Sequence, residues 1–476
     1  MKTFKVPIIN AIGVLVLALT LPAQAYLDHW NSGTGGKPSR DGLVWEHGPT
    51  NATLLWQAGL PCGYGFPPVM EGNVVVMSCA ATFAANPTNA QSEALIVAQN
   101  VTNGDVLWTN TLPVDFPATD WYSAVVGMRD GRVYADRTGN DSSGYLYALD
   151  AQTGAVLWRS QDLVSIYGSE SPSFAPNGDL IVGNYYSLAR VNATNGTTIW
   201  SAPRVSPGTG GSEPAIYGNR VYCWEATGLG LQVAVFDLPT GAYLYSSPGL
   251  GSAVQLGLFV GPDGTVYAPR SQGFTNTDAL IAYHDTGFAL KEKWQVPLPY
   301  VPFASFGVGP DGSVYSYSQD YRVIRINPQD GSIIDSSPVM PSDFYEPRMA
   351  IDGTGLVFVN NGGFVEGALY SFNADLTQRW VIAVPDINLG GPAIGEDGIL
   401  VVAGNSSGPR AYVGNSYGLP GPPIQAASDG TNMIINYSGT LQSADQATGT
   451  WTDVPGAATP WPVPLTRPQE FYRSRE

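Results

Sequence analysis

Short apolar runs broken by tight-turn residues recur along this chain in a fixed order. From Ser123 to Met128 small and apolar residues alternate, and Asp130-Gly131 then turns the chain. Arg132–Asp136 reads as a second strand and Tyr145–Asp150 as a third. Gln152-Thr153-Gly154 turns the chain again, and Ala155–Trp158 is the fourth. The same order returns at Pro172–Trp200 and at Ala215–Tyr245, and the first turn alone returns at Pro262-Asp263-Gly264, Pro310-Asp311-Gly312, Asp352-Gly353 and Glu396-Asp397-Gly398. Repetition at tens of residues means stacked supersecondary units that hide each other's flanks.

The clearest copy is Ala148-Leu-Asp-Ala-Gln-Thr-Gly-Ala-Val-Leu-Trp158. Ala98, Asn100, Gly104 and Trp108 repeat its offsets upstream; Asn192, Gly196 and Trp200 repeat them downstream, followed by Asp237, Gly241 and Tyr245. Asn327 and Gly331 carry it once more, with Asp335 in the tryptophan position. Asp or Asn at the third position can bond the turn ahead of it. Gly four residues on supplies a positive φ, and the final aromatic can cover the neighbouring unit. Two units depart from this plan. The outer hairpin around His284 is longer, and after Asn373 Thr377 replaces the turn glycine in a unit one residue short.

The outer-strand markers are Trp56, Trp108, Trp158, Trp200, Tyr245, Trp294, Asp335 and Trp380, spaced by about 40 to 52 residues. First strands begin near Pro67, Ala124, Pro172, Pro214, Leu256, Ser305, Pro347 and Pro392. The outer strand Thr53–Gln57 precedes any first strand, and the last set lacks an outer strand. The two ends therefore complete one unit. The predicted fold is an all-β, eight-bladed β-propeller of four-stranded antiparallel blades, whose closure removes exposed sheet edges.

Composition sets the surroundings. Lys2 and Lys5, an apolar run to Leu21, and Ala23-Gln24-Ala25 read as a signal peptide over residues 1–25 that is cleaved after Ala25, with no lipid-anchor cysteine following. The mature chain is then expected to be secreted or periplasmic, and no other stretch is apolar enough to span a membrane. The net charge is −17, and loss of Lys2 and Lys5 takes it to −19, so nucleic acid is an unfavourable partner. Of the three cysteines, Cys62 and Cys79 flank a hairpin near Glu71-Gly72-Asn73 and are placed to form a disulfide, whereas Cys223 in an apolar strand reads as a buried thiol.

The repeats resemble the pyrroloquinoline-quinone-type (PQQ-like) propeller repeat, Ala-x-Asp-x-x-x-Gly-x-x-x-Trp, matched in full at Ala148, Asp150, Gly154 and Trp158. The lead-in Trp30, Gly35-Gly36, Pro38–Leu43 and Leu55-Trp56 also looks familial, and the likeness covers about residues 28 to 414. That family includes quinoprotein dehydrogenases and non-catalytic propellers such as the outer-membrane assembly lipoprotein and kinase sensor domains. The division is then 26–414 for the propeller, 415–423 for the Pro-Gly linker that contains Leu419-Pro-Gly-Pro-Pro423, and 424–476 for a C-terminal β module similar to part of a fibronectin-type sandwich.

An enzyme of this family implies PQQ, Ca²⁺, an Asp base and often adjacent cysteines. This chain has no adjacent cysteines, and its carboxylates do not align with that motif. His29, His47 and His284 lack metal-ligand spacing, Gly33–Lys37 lacks the Ser or Thr of a phosphate loop, and the Asp136–Asp141 stretch fits no Ca²⁺ loop spacing. No catalytic, cofactor-binding or metal residue is therefore assigned, and no cofactor is expected; PQQ with Ca²⁺ is the alternative. One constellation follows the repeat: Glu170, Glu213 and Glu346 each stand just before a first strand, at the mouth of the predicted channel. They either take a cation or a partner's Lys or Arg, or they bond backbone amides at the strand entry. Trp121, Tyr122 and Tyr345 lie on the same kind of connection, where exposed aromatics bind sugars or proteins, or plug the channel. The expected role is a non-catalytic scaffold for an unknown protein or glycan, with a PQQ- and Ca²⁺-dependent dehydrogenase or a carbohydrate-active propeller as the enzyme alternative.

Overall fold

The computed structural model describes residues 40–44, 46–59, 68–80, 94–120, 122–138, 143–166, 172–184, 186–204, 214–227, 230–250, 254–255, 257–271, 279–297, 306–318, 320–343, 347–387, 390–395, 398–404, 407–414, 425–428, 432–436, 440–444, 452–457, 461–464 and 471–475. Described secondary structure is β-strand and turn, apart from a single 3₁₀ position at Gly398, and no helix among the described residues is long and apolar enough to cross a membrane.

Eight antiparallel four-stranded blades follow one another. The first is Val69–Glu71, Val74–Ala80, Ala94–Asn100 and Val106–Thr111; the second is Tyr122–Arg129, Arg132–Thr138, Leu146–Asp150 and Val156–Arg159. Blades three and four begin at Ser173–Phe174 and Ala215–Tyr217 and end at Thr198–Pro203 and Tyr243–Ser246. The fifth has its inner edge in two pieces, Val254–Gln255 and Phe259–Val260, both paired with Val266–Ser271. The sixth and seventh run from Gly307–Val308 to Ile333–Ser336 and from Met349–Ile351 to Gln378–Ala383. The eighth joins Ala393–Ile394, Leu400–Gly404 and Gly408–Val413 to the N-terminal Thr53–Gln57, which pairs antiparallel with Gly408–Val413. The two chain ends thus close the ring as their sequence markers predict.

First strands of neighbouring blades touch, and Val69–Glu71 meets both Tyr122–Arg129 and Ala393–Ile394, so these strands line the axis. Buried apolar clusters fill the spaces between blades, as where Val133, Tyr134 and Ala148 pack with Phe174 and Leu180 of the next blade.

The repeat residues act where their chemistry predicts. Asp150 Oδ1 accepts the Gln152 and Thr153 amides at 3.1 and 2.8 Å. Gly154 has φ +70°, and a Cβ there would lie 2.5 Å from Trp108 of the preceding blade. Trp108 donates its indole N–H to the Ala151 carbonyl at 2.8 Å, so ring and hydrogen bond dock together. Trp56, Trp158, Trp200 and Trp294 make the same bond to Val101, Ala193, Leu238 and Pro328, at 2.7 to 3.0 Å. The Trp56 bond joins the eighth blade to the first.

The degenerate copies are repaired locally. Where Asp335 replaces the tryptophan, Tyr315 of the same blade donates its hydroxyl to Ala374 at 2.8 Å, the carbonyl equivalent to that of Ala151. Where Tyr245 stands, its hydroxyl and that of Tyr222 both donate to Asp285 at 2.7 Å. In the shortened turn after Asn373 the left-handed position falls on Leu376, φ +61°, and Asn373 donates its amide to the Thr377 carbonyl at 2.9 Å and its Nδ2 to Thr377 Oγ1 at 2.7 Å. Leu376 is buried, and its packing offsets a strain of about 1 kcal/mol.

One element was marked in the sequence only as part of a familial lead-in, with no strand pattern of its own. Arg40–Val44 enters on the inner edge of blades six and seven, with Leu43 in parallel bridge to Ile351. The Val308 amide donates to Asp41 at 2.7 Å, the Ile351 amide to Gly42 at 2.9 Å, and the Val44 amide to Ile351 at 2.7 Å. Leu43 and Val44 are buried in two different inter-blade clusters, and the chain then leads outward to Thr53–Gln57.

Residues 416–476 form a compact unit apart from 28–415. It holds two three-stranded sheets, Gln425–Ser428 with Asn432–Asn436 and Trp461–Pro464, and Thr452–Asp453 with Thr440–Ala444 and Phe471–Arg475. Ile435, Leu441 and Val463 make its small core.

Candidate functional site

Strand order puts two kinds of segment at one end of the ring. One is the connection from each outer strand to the next first strand. The other is the turn between the second and third strands of each blade. By sequence position the proposed glutamates, Trp121 and Tyr345 belong to the first kind, whereas Tyr122 is already in a strand. Glu170, Glu213, Glu346, Trp121 and Tyr345 lie outside the described residues. Tyr122 opens the strand Tyr122–Arg129, opposite Thr138. Pro172, Pro214 and Pro347, which follow the three glutamates, are buried at the entries of their first strands.

The described residues show how this end is built. In several blades a side chain next to the second turn grips the connection beside it. Arg137, at the end of a second strand, donates from Nη1 to the Leu112 carbonyl at 2.7 Å and from Nε to the Asp120 carbonyl at 2.9 Å. It therefore fixes the residue that precedes Trp121. Burial pulls its pKa down, and Asp120 pulls it back up. Asp120 Oδ2 accepts the Asp115 and Phe116 amides at 2.7 and 2.6 Å, closing the connection on itself. Burial nevertheless holds the Asp120 carboxyl above its ordinary range.

Blades three and seven repeat the device, and on the connection between blades three and four it runs the other way, from Arg204 to the blades. Asn184 donates Nδ2 to the Leu163 carbonyl. Buried Arg204 donates to the Asn184 carbonyl at 3.2 and 3.1 Å and to the Trp224 carbonyl at 3.3 Å, tying two blades together. Burial pushes the nearby Glu225 carboxyl up, partly offset by the Arg204 charge. Asn361 donates to the Pro341 and Glu366 carbonyls at 2.7 Å each. Asp343, which directly precedes Phe344-Tyr345-Glu346, accepts the Phe364 and Val365 amides at 2.9 and 2.8 Å. Those bonds keep its carboxyl below the usual range.

Sequence reasoning missed Phe116, Tyr145 and Arg159 at this end. Phe116 stacks on Tyr145 with ring centres 6.0 Å apart, and the Arg159 guanidinium lies 4.1 Å over Tyr145. Arg159 pairs with Asp115 at 2.6 Å, and the same carboxylate takes the Tyr147 hydroxyl. The available signal was the position of Phe116 on the same connection as Trp121.

A quinone with its Ca²⁺ needs a different set. Cys79 is buried on the second strand of blade one and Cys223 on that of blade four, while Cys62 lies outside the described residues. Among the described residues no three His, Cys, Asp or Glu side chains gather to hold a metal ion.

A closed ring of eight four-stranded blades, clasped by Trp–Gly contacts and gripped connections, defines a repeat propeller. The family model described as outer membrane protein assembly factor BamB, a PQQ-repeat model, matches residues 40–334, and the chain belongs to that family. Among solved structures, BamB from Moraxella catarrhalis is similar at 16% identity, with a TM-score of 0.52 over 76% of this chain and 100% of that one. Quinohemoprotein alcohol dehydrogenase from Comamonas testosteroni is similar at 13% identity, with a TM-score of 0.55 over 84% of this chain and 82% of that one. A computationally designed protein, Ika8, shares 13% identity and a TM-score of 0.53 over 75% of this chain and 100% of that one. No curated protein matches the sequence.

Proposed function

We propose that this protein is a secreted or periplasmic, non-catalytic scaffold that holds a protein or glycan against the end of the ring bearing the inter-blade connections. The observation that supports this most is the gripping of those connections by Arg137, Asn184 and Asn361, with the connection between blades three and four anchored by its own Arg204. Such bonds fix a surface in advance, which lowers the ordering cost of binding. Membership of a family described by an outer membrane protein assembly factor agrees with protein binding. In this reading Glu170, Glu213 and Glu346 accept basic groups of the partner, and Trp121, Tyr122 and Tyr345 supply apolar contact. In the same reading residues 1–25 are a leader removed on export by cleavage after Ala25, the Cys62 thiol bridges to Cys79, and residues 424–476 form an appended fibronectin-like module.

The second reading is a PQQ- and Ca²⁺-dependent dehydrogenase, favoured by the fold shared with the quinohemoprotein. Titrating the pure protein with PQQ and Ca²⁺ and following cofactor absorbance with dye-linked alcohol oxidation separates the two. The scaffold reading expects neither stoichiometric uptake nor dye reduction. A one-to-one complex that oxidises alcohols overturns it.

A further inference from the structure

The inner segment fixes where the chain upstream of it begins. Arg40–Val44 runs parallel to the first strand of blade seven, Met349–Ile351, which leads from the connection end to the turn at Asp352-Gly353. Past Val44 the chain is at the opposite end, where the Gly353 amide donates to the Glu46 carbonyl at 3.2 Å and the Gly48 amide to Asp352 Oδ2 at 2.8 Å. Arg40 therefore stands at the end that carries the inter-blade connections, beside blades six and seven. It is fully buried, so the point of entry is fixed. The lead-in, residues 28–39, lies outside the described residues and leads to that point.

The surface beside this entry is ordered and apolar. Asn361 donates Nδ2 to both the Pro341 and the Glu366 carbonyls at 2.7 Å, so the connection after blade six touches the second turn of blade seven. Asp343 holds the Phe364 and Val365 amides, and the Asp386 amide donates to the Phe364 carbonyl at 2.6 Å. On the connection, the Ser337 and Met340 amides donate to the Val323 and Tyr321 carbonyls at 2.8 and 2.7 Å. The segments so held display Val365, 81% exposed, and Val339, 45% exposed, on one ledge edged by the exposed residues Asp343 and Glu366. Exposed aliphatic side chains gain nothing from this ordering until an apolar group covers them.

The chain carries its own occupant for that ledge. Trp30 stands ten residues upstream of Arg40, a reach of up to about 35 Å. Ser32-Gly-Thr-Gly-Gly36 between them has the Gly- and Ser-rich composition of a spacer, and so short a tether gives Trp30 an effective concentration of about millimolar at the ledge. Lys37 follows the spacer. Of the three lysines beyond the leader, Lys291 and Lys293 are on the outer strand of blade five, so Lys37 is the one within reach of Asp343 and Glu366.

We propose that residues 28–39 are a ligand of this ledge within the same chain, with Trp30 over Val339 and Val365 and Lys37 against the carboxylates, and that a partner must displace them to bind there. This rests on the scaffold reading and adds its regulation. The test places benzoylphenylalanine at position 30 of the full chain, irradiates it in dilute solution, and locates the adduct by mass spectrometry of tryptic peptides. Intrachain cross-links should fall in the peptides 326–348 and 349–379, at Val339, Val365 or their neighbours. Val365→Asp and Lys37→Glu should each lower their yield about threefold or more. Val365 is so exposed that its substitution leaves the core intact, and an unchanged melting temperature verifies this. Phe288→Asp, on the outer turn of blade five, should leave the yield unchanged. Cross-links confined to other blades or to residues 416–476, adducts only between molecules, no adduct at all, or yields indifferent to both substitutions overturn the proposal and leave the scaffold reading standing. PQQ uptake with turnover removes the scaffold reading instead, whatever position 30 reaches.

Discussion

At the scale of single residues, the repeat is a lock with two parts. The turn glycine is required twice over. Its φ of +70° at Gly154 is costly for an L side chain, and the space a Cβ would need holds Trp108. Gly154→Ala should therefore lower stability by about 2 kcal/mol or more, read as an earlier denaturant midpoint. Gly72, with φ +56° and no atom near its Cβ position, provides the comparison, and Gly72→Ala should cost only about 1 kcal/mol. Equal losses at the two sites would mean that the tryptophan contact contributes nothing. The turn role of the glycine and the covering role of the aromatic were legible in the sequence, but that each glycine meets the tryptophan of the preceding blade, Gly154 with Trp108 and not Trp158, was not. The substitute bond from Tyr315 to Ala374 was not legible, since the two residues lie 59 positions apart and share no motif.

At the scale of elements, the seams between blades differ in chemistry. Most are closed by tryptophan, but the seam between blades four and five is closed by the Asp285 carboxylate. Burial alone would raise its pKa. Hydrogen bonds from Tyr245, Tyr222 and Gly287, with the Arg220 charge, outweigh burial and hold it below the ordinary range. A depressed carboxyl contributes stability above about pH 4 and loses it as the pH falls through its folded value. Asp285→Asn should thus cost about 1–3 kcal/mol at pH 7, and the difference from wild type should shrink toward pH 3. A pH-independent difference in urea midpoints would show that the seam does not depend on this charge. Strand order and blade number were readable from turn dipeptides. The gripped connections were not, because Arg137, Asn184 and Asn361 act on carbonyls of other segments, and a backbone carbonyl has no sequence signature.

At the scale of the whole molecule, the ring depends on its ends. Thr53–Gln57 supplies the outer strand of blade eight, and Trp56 reaches Val101 of blade one at 2.7 Å. Removing residues 1–57 should leave Gly408–Val413 as an open edge and lower the melting temperature far more than any single glycine change. A truncated protein that melts like the full chain would show that the closing strand is dispensable. The eight-blade count could be read from the sequence because every unit keeps a turn or an aromatic. The place of the inner segment Arg40–Val44 could not: the sequence marked it only as a familial lead-in, and it docks on the propeller through backbone bonds and two side chains. Function was the least legible, because the turn and packing residues that define the repeat lie away from the connections that carry the candidate site.

The claim that the ring presents one binding end can be tested directly by placing a photo-activated cross-linker at two exposed apolar positions. Val365, 81% exposed on the turn between the second and third strands of blade seven, marks the proposed end, and Phe288, 74% exposed on the outer turn of blade five, marks the other. In cells that produce the protein, adducts with a discrete partner should form at 365 and be absent at 288. Adducts at 288 alone, or equally at both positions, would contradict a scaffold that binds through the gripped connections.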